Sequence, residues 1–360
     1  MGGNLKYFGG SIATALLGIV LGGGIGYYYS GTVSGGLQSA FIVFVLSILE
    51  ISLSFDNAVV NATVLKDMDE LWRRRFITWG IAIAVFGMRI VFPLAIVSII
   101  AHIGPIDAIV LAATDPDEYS KIISSAHISV SAFGGAFLAM VGLKHFIDFE
   151  KEIFWIGWIE RPLAQLGRIE AVQIGVCLLL LWGVSTQLHD HEQLTFLTMG
   201  IAGLLTYIAV DGVSAVLDAA SEAQGLAVRS GLASFLYLEV LDASFSFDGV
   251  IGAFALSNNL FVIAIGLGTG AMFVRSLTIM LVEKGTLAEY RYLEHGAFYA
   301  IIALAVIMFL KTFVHVPEVV TGLIGAGFIA LALWSSLRHN AREAKEIGGN
   351  GGDGSATLGG

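Results

Sequence analysis

EISLSFDN at residues 50–57 returns as DASFSFDG at residues 242–249, and the fold is read from this pair. Ser52, Ser54, Phe55 and Asp56 match Ser244, Ser246, Phe247 and Asp248. Two more matches follow in the same order. GIAIAVFGMR (80–89) resembles GLGTGAMFVR (266–275), setting Gly80 and Arg89 opposite Gly266 and Arg275, and LKHF (143–146) recurs as LKTF (310–313). The spacings between matches differ only across expected loops, so the chain carries an internal repeat.

The surroundings of both copies are oily. Over the 360 residues, 56% are hydrophobic and 13% charged, with a mean hydropathy of +0.81. A soluble domain carries about 25% charge. One cysteine, Cys177, excludes a disulfide scaffold, and 19 basic against 29 acidic residues disfavour nucleic-acid binding. Ten apolar runs are long enough to cross a hydrocarbon core of about 30 Å: 8–29, 36–65, 76–103, 125–147, 169–188, 194–217, 230–257, 260–283, 296–315 and 318–337. Their length and aliphatic density predict helices, because a membrane barrel alternates polar and apolar residues in shorter strands. The expected fold is all-α, a polytopic transmembrane bundle of about ten helices. The first run lacks a small-x-small cleavage site and reads as an anchor helix. Its Gly18, Gly22 and Gly26 predict close packing, with a homodimer through this helix as a further expectation.

Basic residues set the orientation. With ten spans, fifteen of the nineteen fall on one face, including Lys66, Arg73, Arg74 and Arg75, while Lys121 and Lys311 fall on the other. Both termini are therefore expected in the cytoplasm, in a cell (inner) membrane. The run carrying Asp56 then descends towards the arginine-rich loop, whereas the run carrying Asp248 rises away from Arg229. Two three-helix units of opposite topology are the common plan of secondary transporters. The expected division is 1–35 anchor helix, 36–147 first repeat, 148–229 cytoplasmic interfacial segment and linker helices, 230–315 second repeat, 316–340 extra helix, and 341–360 disordered tail.

Glu50, Asp56, Glu239, Asp242 and Asp248 lie inside apolar runs, with Asp211 in another. At about 3 kcal/mol for each central acid, the five motif acids would cost of order 15 kcal/mol if unpaired. Two intramembrane arginines, Arg89 and Arg275, balance two of them and set their charge state. The surplus points to a cation or proton pathway. Six residues separate Glu50 from Asp56, so an ideal helix turns them about 120° apart. Either the serine-rich SLSF and SFSF stretches unwind to gather all the acids, or Asp56 and Asp248 form the site while Glu50 and Asp242 pair with arginines.

Carboxylates, Asn57, Asn61, Ser54, Ser246 and freed carbonyls are hard oxygen donors suited to Mn²⁺, Ca²⁺ or Mg²⁺, and the single cysteine argues against a thiolate site. His189 and His191 read as an exposed polar turn and His127 as an ordinary hydrogen-bonded histidine. Residues 144–170, with Trp155 and Trp158 among charges, read as an interfacial amphipathic helix.

These residues resemble the TerC family of integral membrane proteins, named for tellurium resistance, within the LysE-like transporter superfamily, and in particular a TerC-related branch of unknown function. The resemblance rests on an acid six positions before Asp56-Asn57, on the matching Asp242 and Asp248, on Arg73 to Arg75 and on Arg89. It covers residues 40–315. Gly249 departs from it, standing where the family has a small hydroxyl residue. The resemblance implies export of divalent metal, especially manganese, or a role in metal and tellurite stress. The leading expectation is a non-enzymatic exporter of Mn²⁺ or a similar divalent cation, with proton or sodium as counter-ion and no tightly bound cofactor. A membrane scaffold docking through 144–170 is the alternative. An intramembrane aspartyl protease built on Asp56 and Asp248 ranks below both, since neither aspartate sits in a GxGD motif.

Overall fold

The structure, a computed structural model, describes residues 2–350 apart from 81, 170 and 224–230, and their side chains except at 2–5, 218–223, 247, 248, 288 and 344–350. Every regular element among the described residues is helical. In lipid a helix satisfies its backbone within one segment, and the long apolar runs take that solution. The chain begins with α1 (Gly2–Ser30), α2 (Val33–Leu53) and α3 (Phe55–Leu65). Next, α4 (Glu70–Arg75) continues through two π-helical stretches, Phe76–Gly80 and Ile83–Val91, into α5 (Phe92–Ile100). Two short helices, α6 (Pro105–Thr114) and α7 (Pro116–Ser125), lead to α8 (His127–Phe146). The middle of the chain forms α9 (Gly157–Leu166), α10 (Val172–Ser185) and α11 (Asp190–Ala223). The second half comprises α12 (Gly231–Ala253), α13 (Leu260–Glu283), α14 (Thr286–Glu289), α15 (Leu293–Leu310) and α16 (Glu318–Asn350).

Among the described residues, eight helical spans are long and apolar enough to cross a membrane. The other two expected runs differ for separate reasons. Residues 169–188 yield α10, whose 14 residues rise only about 21 Å. Residues 230–257 yield α12, which is long enough at 23 residues but holds Glu239, Asp242 and Asp248. Leu16, Leu17 and Val20 of α1 and Phe41 of α2 are exposed, as side chains solvated by lipid should be. This is a polytopic helical membrane protein. At the far end α16 stays helical to Asn350, entering the stretch expected to be disordered, while 351–360 lie outside the described residues.

The repeat is built upside down. Asn57 donates to Asp242, and a Cβ on Gly249 would sit 3.7 Å from Glu50 Oε2. The later residue of each motif therefore faces the earlier residue of the other, which is antiparallel pairing. The second matched pair does the same: Arg275 donates to the Phe76 carbonyl, and Gly268 faces Val85. In the third, Gly135 meets Phe309 and Gly142 meets Ile302, one contact seen from both copies of the repeat. All three equivalent helix pairs run head to tail.

The glycines of α1 are used within the chain. Gly18 faces Ile265 and Thr269 of α13, Gly22 faces Val43, and Gly26 faces Ser39 of α2. Close packing is as expected, but the homodimer expectation loses the glycine face it rested on. In the 144–170 segment, Trp158 is exposed, whereas Glu160 is fully buried and Trp155 stands edge-on to Tyr299.

Candidate functional site

The break between α2 and α3 falls on one residue, Ser54. Its N–H still reaches the Glu50 carbonyl at 2.9 Å and its own carbonyl accepts from Ala58 at 3.0 Å. The Glu50 and Ser54 carbonyls thus keep helical partners across the break, and α12 runs unbroken through SFSF. Serine hydroxyls bond back within their own helix, as Ser244 does to the Val240 carbonyl, which bends a helix more readily than it opens one. The expected unwinding is corrected to a one-residue break in the first repeat and none in the second.

Ser54 turns its hydroxyl to Glu50 Oε1 at 2.9 Å. Glu50 also pairs with Arg89, which arrives on the π-helical stretch and donates to the Ala84 carbonyl as well. Both members of this ion pair are almost fully buried. π-Helical turns are rare and frequent at functional positions, and here one such stretch carries both Arg89 and the Ala84 carbonyl it meets. In the second repeat Arg275 donates to the Phe76 carbonyl and lies over the Phe76 ring, with Asp242 and Glu239 as its charged neighbours. The two arginines hold equivalent places on inverted scaffolds.

Between them lies a cavity of about 30 Å³ lined by Glu50, Ser54, Asn57, Asn61, Asp242, Arg89, Arg275 and Thr278. A water needs at least about 10–15 Å³ of such space, so the cavity holds a water or a bare ion and excludes an organic substrate. Among the described residues, three buried oxygens around it accept no hydrogen bond: Asn57 Oδ1, Asn61 Oδ1 and, beside Gly80, Glu239 Oε1. Unpartnered buried acceptors are costly, and a cation is one way to satisfy them.

Of the expected residues, Glu50, Ser54, Asn57, Asn61, Asp242, Arg89 and Arg275 come together here. Glu239 abuts Gly80 at the edge. Asp56 does not join them. It accepts from the Asn57 N–H at 2.9 Å and looks towards Gly325 of α16, as the six-residue spacing from Glu50 requires. Ser246 is buried on α12 away from the cavity lining. Asp211 pairs with Lys144 elsewhere, and the side chain of Asp248 lies outside the described residues. Glu50 pairs with Arg89, as one of the two arrangements weighed from sequence has it, but the site that arrangement built on Asp56 and Asp248 is not seen, with Asp56 off the cavity lining. Among the described residues no three His, Cys, Asp or Glu side chains converge to hold a metal ion, so any cation here would be bound by a mixed set of carboxylates, amides and hydroxyls. His189 and His191 lie on an exposed turn.

Sequence reasoning missed Thr278 and the Ala84 and Phe76 carbonyls. Thr278 stands three residues after Arg275 on the same helix face, a spacing that could have flagged it. The carbonyls lie in π-helical stretches, which apolar periodicity does not announce.

No curated protein and no solved structure matches the chain. A match to one family spans residues 55–343, beginning after Glu50 and reaching into α16, beyond the 40–315 over which the chain resembles TerC proteins. The chain belongs to the family described as protein of unknown function (DUF475).

Proposed function

We propose that the protein is a secondary transporter that exports a divalent metal cation, with Mn²⁺ the favoured cargo and proton or sodium as counter-ion. The observation that carries this reading is the small buried cavity where two inverted motifs cross. It is too small for an organic solute and is lined by hard oxygens from both halves. The resemblance to TerC proteins adds the preference for manganese. Without cargo, Arg89 and Arg275 serve as counter-ions to Glu50 and Asp242. Arrival of a dication shifts the guanidiniums towards the Ala84 and Phe76 carbonyls they already touch. Rocking of one repeat against the other then exposes the ion to alternate sides. The end bearing Arg73 to Arg75 is read as cytoplasmic.

The test is metal flux in proteoliposomes across Mn²⁺, Ca²⁺, Mg²⁺ and Zn²⁺, with Glu50→Gln and Asp242→Asn beside the native protein. Flux of Mn²⁺ that is lost in both variants is expected. Absence of flux for every metal, or equal flux in all three proteins, overturns the reading.

A further inference from the structure

LKHF and LKTF, the third matched pair of the repeat, were left without a role by the cavity between the repeats. Because α8 and α15 are antiparallel, Lys144 and Lys311 stand at opposite ends of the molecule. Each reaches a carboxylate on a helix outside the repeats: Lys144 to Asp211 of α11, and Lys311 to Glu318 of α16 at 2.7 Å. Each pair also borders a cavity. At the arginine-rich end, Lys144, Asp211, Thr63 and Glu294 line about 240 Å³. At the other end, Lys311, Glu318, Ile251 and His127 line about 440 Å³. The matched motifs place three lining positions of the two cavities in correspondence: Lys144 with Lys311, Thr63 with Ala255 and Glu294 with His127. By the measure applied to the central cavity, both are large enough to admit water.

We propose that Lys144–Asp211 and Lys311–Glu318 are the two gates of this molecule, each tying a repeat helix to the surrounding frame and opening in alternation. This deepens the transport reading and rests on it. The gates are unequal. Side-chain exposure is 52% and 42% for the Lys144 pair but 5% and 18% for the Lys311 pair. An exposed pair is screened and contributes little, whereas breaking a desolvated pair leaves a buried charge behind. Glu318 also packs directly over Gly252 of α12, so the Lys311 gate is braced against the helix that bears the second motif. The structure is latched at the Lys311 end and lightly held at the Lys144 end. Release of the Lys311 latch shifts the population towards opening there and closing at the opposite mouth.

The experiment labels reporter cysteines with a bulky maleimide in detergent-purified protein. The buried Cys177 is first replaced by serine, and single reporters are set at Thr63→Cys and Ile251→Cys. Glu318→Gln is expected to raise labelling at 251 by about tenfold, the step from a minor towards an even population, and to lower it at 63. Asp211→Asn is expected to raise labelling at 63 by less than about twofold, in keeping with an exposed pair, and to lower it at 251. Lys311→Met should reproduce Glu318→Gln, and the charge swap Lys311→Glu with Glu318→Lys should restore native labelling. Changes confined to the substituted end, or no change, overturn the gates. Reciprocal labelling without metal flux leaves the gates standing and removes the cargo, whereas flux without reciprocity does the opposite.

Discussion

Glu50 and Glu160 are both buried carboxylates beside a cation, and they differ in what else surrounds them. Glu160, on α9, accepts from the Ile156 N–H at 3.0 Å, the Trp155 N–H at 3.3 Å and the Tyr299 hydroxyl at 3.2 Å. Lys151 Nζ lies 3.2 Å away and His295 Nε2 3.5 Å away. Its lone pairs are saturated. Glu50 has Arg89 and Ser54, and it borders a cavity whose other amides leave oxygens unpartnered. A saturated carboxylate fastens chain to chain. A carboxylate beside unfilled acceptors and a water-sized space is arranged for something that comes and goes.

The largest effect should separate these two carboxylates by stability. Glu160→Gln removes the charge opposite Lys151, whose side chain is 7% exposed. Breaking such a pair costs about 3–5 kcal/mol, to be read from thermal unfolding in detergent. Glu50→Gln frees Arg89 beside a space that can admit water and near a carbonyl it already contacts, so its cost should be about 1–3 kcal/mol. Metal flux should rank them the other way, with Glu50→Gln abolishing it. Equal stability losses would erase the distinction between fastening and receiving.

Acid should undo the Glu160 anchorage. Burial alone pushes this carboxyl up, but the Ile156 N–H, the Lys151 ammonium and His295 together hold it below the ordinary value of 4.5. A carboxyl depressed in the folded state stabilises above its unfolded pKa, and that contribution is lost as pH falls through the folded one. Fluorescence of Trp155, packed on Tyr299, should hold steady from neutral pH down to about 4.5 and change below it. In Glu160→Gln that slope should flatten. A change centred near pH 7 would assign the anchorage to the histidines instead.

The repeat, its inversion and the membranous helices were legible because they rest on long apolar runs and on charges misplaced within them. Local rules also held: six residues between Glu50 and Asp56 turned them to different faces, and only Glu50 reached the cavity. Two features escaped for one physical reason, namely that they depend on contacts between segments far apart in the chain. Glu160 looks like any surface glutamate until His295 and Tyr299 are brought over it. Lys311 and Glu318 look like loop charges until α12 packs beneath them. The π-helical stretches escaped for another: they leave the same apolar pattern as an α-helix, so the carbonyls within them that meet Arg89 and Arg275 cannot be read from the sequence.

The smallest effect concerns one place where the two halves of the crossing differ. Asn57 donates to Asp242, but its counterpart Gly249 offers Glu50 no side chain. A Cβ there would lie 3.7 Å from Glu50 Oε2, an ordinary contact, so Gly249→Ser fits without strain. Replacing a helix-interior glycine gains about 0.5 kcal/mol, and the new hydroxyl can donate to Glu50, reproducing on this side the contact that Asn57 makes on the other. Thermal stability should rise by about that amount. Flux should fall modestly, because Glu50 then holds one more donor that cargo must displace. A loss of stability above about 1 kcal/mol would mean that the two sides of the crossing are packed differently, and that the missing side chain is space the site needs.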